Sequence, residues 1–216
     1  PQDPDHHPEG DVWNHTMAVL DAAAGMQAAA KEPRNLLLAA LCHDFGKPET
    51  TCADGQGHIR ALRHETAGVP LAKGFIKRLT SETEVRRYVA NMVALHMRPN
   101  VIAQGHPKLK TTNRLFDDSL CPEDLLLLCK ADRMGQRKEA GYGPVEALLR
   151  SRLEAYRETM AKPGVTGKDL VELGFRPGPA FSEALGFAHK LQLAGVEKEE
   201  ALSQTKGFLK KYPLLG

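Results

Sequence analysis

The chain has no apolar run approaching the ~20 residues that a membrane-spanning helix needs, and no signal peptide opens it. No membrane association is expected. It also lacks any Cys-x-x-Cys, and its four cysteines, Cys42, Cys52, Cys121 and Cys129, are too irregularly spaced to suggest a disulfide framework. Reduced thiols in a cytoplasmic protein are the expectation. Net charge is almost absent, because 29 Lys and Arg stand against 27 Asp and Glu. The overall charge of +2 therefore selects no class of partner. No segment alternates convincingly with period two, which argues against a sheet protein. There is no Met at the start either: Pro1-Gln2-Asp3-Pro4-Asp5-His6-His7-Pro8 reads as a linker. Residues 1–10 are expected to lead in from an upstream domain of a longer polypeptide.

What is present is helical patterning, with enough of it in 216 residues at 42% apolar content for one core and a small appendage. Apolar and small residues recur at three- and four-residue steps through Met17, Val19, Leu20, Ala23 and Ala24, predicting a helix from Val12 to Ala30. Leu36 to Phe45 reads as a nearly all-apolar central helix that breaks at Gly46 and Pro48. Cys52 to Leu62, rich in Gly and short polar residues, reads as a loop. A helix opens at Arg63-His64-Glu65 and runs to Leu79, and Ser81-Glu82-Thr83-Glu84 has the form of a capping box for another reaching His96. Pro99 is expected to end that helix, with Val101 to Lys110 a loop. A short helix from Thr112 to Asp118 comes next, then an apolar helix opened by Pro122, Glu123 and Asp124 and ending at Asp132. A long amphipathic helix covers Pro144 to Met160. Lys162-Pro163-Gly164 marks a boundary, after which Thr166-Gly167-Lys168-Asp169 caps a short helix and two more run to Tyr212. The expectation is an all-α bundle over residues 11–161 with a helical appendage over 162–216.

The chemistry centres on His43-Asp44. Adjacent helical residues point about 100° apart, so both reach one ion only where a helix stops and leaves room. Gly46 supplies that room. Imidazole nitrogen with carboxylate oxygen suits Mn, Fe, Ni, Co or Zn, and Mg where oxygen dominates. Lys47 would set a positive charge beside a metal-bound phosphate.

His15, His64, His96 and Asp132 recur in comparable places, near the start or end of an apolar helix. Singly, each has an ordinary explanation: a core histidine, a cap, a dipole-favoured helix end, a surface ion pair. Together they make a set, since a carboxylate after four consecutive leucines is costly to bury without a partner and a cation supplies one.

The order His15, His43-Asp44, Asp132 resembles the metal-binding pattern of the HD superfamily of phosphohydrolases, all-helical enzymes that cleave phosphoesters. His64 and His96 match the additional histidines of members that hold two metals. More narrowly, His7 to Thr16, Leu41 to Lys47, and Thr166-Gly167-Lys168-Asp169-Leu170 through Gly178-Pro179 resemble the C-terminal half of bacterial multifunctional CCA-adding tRNA nucleotidyltransferases. The resemblance implies one divalent ion (Ni, Mn, Co, Mg, Fe or Zn) on His15, His43, Asp44 and Asp132, and a second on His64 and His96 with Asp44 bridging. Lys47 would stabilise charge at phosphorus, assisted by Arg63 or Arg98. The implied activities are 2′,3′-cyclic phosphodiesterase, 2′-nucleotidase or phosphatase, on a nucleotide or a tRNA 3′ end. Lys168 and Arg176, beside Gly-rich turns that open helices, are candidate RNA contacts. The nucleotide-adding motif of that family, a Gly-Ser followed by paired strand aspartates, has no counterpart here. Two other readings remain open: a tRNA-binding or structural module with a non-catalytic metal, and an HD hydrolase of free nucleoside monophosphates or signalling nucleotides.

Overall fold

In a computed structural model of the chain, the structure describes residue 2 and residues 10–53, 55, 58–137 and 141–210. The expected linker, apart from Gln2 and Gly10, lies outside the described residues, as do His6, His7 and Tyr212.

The chain divides into two compact units, Pro1–His106 with Leu115–Leu149, and Pro107–Arg114 with Arg150–Gly216. The expected boundary at Lys162-Pro163-Gly164 falls within the second of them. The first unit begins with α1 (Val12–Gly25), whose free N–H at Asn14 is met by the side chain of Asp11 at 2.8 Å. A 3-10 turn (Gln27–Ala29) leads to α2 (Pro33–Cys42). This helix packs against α1, α5 (Thr83–Leu95) and α8 (Pro122–Gly135), burying Leu36, Ala39, Ala40 and Cys42 completely. A fully buried Leu contributes about 1.5–3 kcal/mol and small Ala faces let helix axes approach, so α2 is the bundle's centre. It therefore delivers His43 and Asp44, the two residues just past its C-terminus, to the core's edge. The remaining elements are α3 (Lys47–Thr50), α4 (His64–Leu79), which packs along α5, and α6 (Arg98–Gln104).

A buried carboxylate ties three of these pieces together. Asp124, in the first turn of α8, accepts from the amides of Lys31 and Glu32 at 2.8 and 2.9 Å and from the Tyr88 hydroxyl of α5 at 2.8 Å. It satisfies amides at the entrance to α2 that no helical carbonyl can reach.

Helices α7 (Leu109–Asp118) and α9 (Tyr142–Ala161) each run across the boundary of the units in sequence. In the second unit α10 (Gly167–Glu172), α11 (Pro179–Leu193) and α12 (Lys198–Lys210) surround Leu170, Ala180, Ala184 and Leu209. The expected cap at Thr166 is a complete capping box with Asp169. No helix among the described residues is long and apolar enough to cross a membrane.

The helical expectation holds, with four local corrections. First, the loop from Cys52 to Leu62 contains an antiparallel hairpin, β1 (Thr51–Ala53) and β2 (Ile59–Ala61), with Cys52 opposite Arg60. Three residues per strand are too few for alternation to register. Second, Pro99 starts α6 instead of closing α5, because proline's missing N–H costs nothing in a first turn. Third, the Ser81–Glu84 box does not form: Glu82, one residue later, is the N-cap without a side-chain cap bond, and the Glu84 carboxylate accepts from Arg87 at 3.0 Å instead of reaching back to the cap. Fourth, the first helix stops at Gly25 and α2 stops at Cys42, with Lys47 and Pro48 beginning the separate α3.

Candidate metal centre

His43 and Asp44 come directly after the last residue of α2, His64 begins α4, His96 caps α5, His15 lies in the second turn of α1, and Asp132 lies in the last turn of α8. All six are buried, none more than 6% exposed. Gly46 makes this convergence possible by steric absence: a Cβ there would lie 2.1 Å from the His64 carbonyl oxygen and 2.6 Å from the Gly68 amide nitrogen. The turn carrying Asp44 thus rests directly on the first turn of α4.

Three rings use one local arrangement. Nδ1–H of His43 donates to the Ala40 carbonyl at 2.7 Å, that of His64 to Ala61 at 2.8 Å, and that of His96 to Val93 at 2.8 Å. With Nδ1–H committed, each ring turns Nε2 toward the centre. There His43 and His15 approach Nε2 to Nε2 at 3.3 Å, and His64 and His96 do the same at 3.3 Å. Asp44 stands between the pairs. Its Oδ2 is 3.2 Å from His43 and 3.6 Å from His15, and its Oδ1 is 3.2 Å from His64 and 3.8 Å from His96. Asp132 Oδ1 is 3.0 Å from His15 and 4.0 Å from His43, and Gln136 Nε2 donates to it at 3.1 Å.

Protonation is governed by this crowding. Burial alone would raise the Asp132 carboxyl, but the hydrogen bond from His15 and the charges of His43 and His15 outweigh it and bring its pKa to about 2. Asp44 is likewise held well below the carboxylate range, chiefly by His43, despite its burial. Burial and the neighbouring His43 charge lower His96 to about 4, so it is neutral near pH 7. His43 moves the other way: burial disfavours its charge, but Asp44 more than compensates, and its pKa rises. Two carboxylates and inward-facing imidazole nitrogens form an acceptor-rich centre. Such a donor set suits a divalent cation. Two trios, His15-His43-Asp44 and Asp44-His64-His96, each bring their ligand atoms within 4.8 Å of one another.

Asp44, His64, His96 and Asp132 line a cavity of about 350 Å³. Lys47 reaches into it, its Nζ 2.7 Å from Asp44 Oδ2. Of the arginines anticipated there, Arg63 is exposed at the N-cap of α4, with φ 60°, and Arg98 is paired with Asp118 at 2.9 Å. Neither borders the cavity. Arg60 of β2 and Arg133 of α8 do, along with Gln2, Asn100, Gln104 and Gln136. Position in sequence hinted at Arg133 and Gln136, next to and one turn beyond Asp132. Arg60 sits in the unanticipated hairpin and had no signal. Lys168 and Arg176 belong to the second unit, where Lys168 lies 3.8 Å from Glu172.

The family model described as HD domain matches residues 12–135, a span that takes in every one of these six residues. The chain belongs to the HD-domain family. Over 206 residues, 93% of this chain, it is 34% identical to the Multifunctional CCA protein of Halorhodospira halophila, covering 46% of that protein. Over 211 residues it is 32% identical to the Multifunctional CCA protein of Methylococcus capsulatus, covering 93% of this chain and 45% of the relative. Over 141 residues it is 36% identical to that of Actinobacillus pleuropneumoniae serotype 5b, covering 63% of this chain and 33% of the relative. The HD-domain chain thus spans about half the length, or less, of these curated relatives.

Proposed function

We propose that this HD-domain chain is a metal-dependent phosphoester hydrolase acting on nucleotides or RNA ends, of the 2′,3′-cyclic phosphodiesterase, 2′-nucleotidase or phosphatase type. The observation that carries the reading is the meeting of a buried His/Asp cluster with three cationic side chains, Lys47, Arg60 and Arg133, at one cavity. His15, His43, Asp44 and Asp132 would hold one divalent ion, and His64 and His96 a second with Asp44 between. When bound, the ions supply an activated water and neutralise phosphate oxygens. The backbone carbonyls of Ala40, Ala61 and Val93 keep the imidazoles oriented, and Gln136 holds the Asp132 carboxylate. Lys47 stabilises charge growing at phosphorus, and Arg60 and Arg133 bind further phosphate oxygens, a duty that passes to them from Arg63 and Arg98.

RNA as substrate is favoured by the second unit, which carries 14 Lys and Arg against 8 Asp and Glu although the whole chain is nearly neutral. Lys168 and Arg176 are among those cations, and phosphate contacts from such a surface would be salt-sensitive. The resemblance to CCA-adding tRNA nucleotidyltransferases makes a tRNA 3′ end the favoured substrate and an upstream nucleotidyltransferase domain the expected partner in a longer protein, in keeping with relatives named Multifunctional CCA protein. Four free cysteines suit a cytoplasmic setting.

The test is hydrolysis of a 2′,3′-cyclic nucleotide by metal-stripped protein re-supplied with Ni, Mn, Co, Mg, Fe or Zn, alongside Asp44→Ala. Metal-dependent turnover that falls to background in the variant is expected. No turnover of cyclic, 2′- or 5′-nucleotides with any metal, while tRNA still binds, would replace the enzyme with a binding module.

A further inference from the structure

Gln2 is the one residue before Gly10 that the structure describes, and it borders the cavity. Its amide N–H donates to the Gly10 carbonyl at 3.3 Å, and Gly10 has φ 105°, a conformation open to glycine. The residue is 8% exposed. Its Oε1 accepts from Lys47 Nζ at 2.6 Å, so Lys47 is held between Gln2 and Asp44. That contact fixes the carboxamide's orientation, since the flipped form would set NH₂ against an ammonium group. Nε2 is thereby left buried with no hydrogen-bond partner among the described residues. A buried donor without an acceptor is costly, and in a residue that borders a ligand cavity a ligand is the acceptor it can gain.

We infer that Gln2 is a phosphate-binding residue: its carbonyl oxygen holds Lys47, and its Nε2–H donates to a substrate phosphate oxygen beside Asp44. The choice of an amide is chemically apt. A carboxylate would neutralise Lys47 and repel the phosphate, whereas a carboxamide orients the ammonium without cancelling its charge and adds a second donor. This assignment rests on the hydrolase reading for its use in turnover, but phosphate binding is measurable without turnover.

The experiment titrates inorganic phosphate by calorimetry into wild-type protein and the Gln2→Met and Gln2→Glu variants, each in stoichiometric Mn²⁺. Gln2→Met keeps length and removes both polar atoms. Gln2→Glu keeps an acceptor for Lys47 and replaces the donor with a repelling oxygen. Phosphate is expected to bind about tenfold more weakly to Gln2→Met and still more weakly to Gln2→Glu. Mn²⁺ affinity in Gln2→Met should match wild type, because Gln2 offers no metal ligand. With a 2′,3′-cyclic nucleotide, Gln2→Met should raise KM and also lower kcat, because Lys47 loses the carbonyl that holds it. Phosphate affinity unchanged in Gln2→Met, or a wild-type protein that binds no phosphate, would overturn the assignment. Phosphate binding in the expected order by a protein without turnover would sustain Gln2 and remove the hydrolase reading.

Discussion

Replacing Gly46 with Ala tests whether the close approach of two backbones assembles the centre. The added Cβ would lie 2.1 Å from the His64 oxygen, 2.6 Å from the Gly68 nitrogen and 2.9 Å from the His64 carbonyl carbon. All three are backbone atoms of one helical turn, so no side-chain rotation relieves the clash. The two segments must separate by about 1.3 Å to bring the 2.1 Å approach to ordinary contact, and overpacking of this kind typically costs about 1–3 kcal/mol or more. In a chain of this length that lowers the melting temperature by roughly 3–10 °C. The same movement pulls His64 Nε2 away from Asp44 Oδ1, now at 3.2 Å. Metal bound through Asp44, His64 and His96 should therefore weaken more than metal bound through His15, His43 and Asp132. Thermal unfolding and calorimetric titration with Mn²⁺ would measure both effects. Gly74→Ala is the control, because it lies within α4 with nothing inside 4 Å of the new Cβ, and it should stabilise by about 0.5–1 kcal/mol. A Gly46→Ala protein as stable as wild type, with an unaltered metal titration, would refute the argument that this contact builds the site.

Two further outcomes concern groups away from the cavity. Tyr88→Phe removes one of three donors from the buried Asp124 carboxylate and should cost about 1.5–3 kcal/mol in urea unfolding. Asp124→Ala, which leaves the Lys31 and Glu32 amides and the Tyr88 hydroxyl without their acceptor, should cost more, and equal losses would contradict the network. In the second unit, Asp169 is held at a pKa of about 2 by Lys198 and Thr166, below the ordinary 3.8. A depressed folded-state pKa means its stabilisation is complete above about pH 4 and lost as pH falls toward 2. Asp169→Asn should flatten the melting temperature over that interval, and an unchanged acid slope would remove Asp169 as a contributor.

Much of the helical framework was legible because helices advertise themselves locally. The three- and four-residue recurrence in α1, the apolar run of α2, and Pro122 ahead of acidic residues in α8 are short-range signals set by propensity, capping and one-sided burial. Local rules also admit more than one outcome: α5 takes Glu82 as its N-cap where Ser81 was expected, and Pro99 opens α6 because a first-turn proline forfeits no hydrogen bond. The hairpin was too short to leave a periodic trace.

By itself, then, the sequence determined the residue types of the centre, their order along the chain, and the approximate helix ends near which the ligand candidates stand, since each depends on neighbours a few positions away. The tertiary structure alone decided that Asp44 turns one oxygen to each histidine pair. It also selected Arg60 and Arg133 over Arg63 and Arg98 for the cavity, and set Gln2 against Lys47. These are matters of side-chain direction, fixed by how α1, α2, α4, α5 and α8 pack and by a glycine that lets two backbones touch.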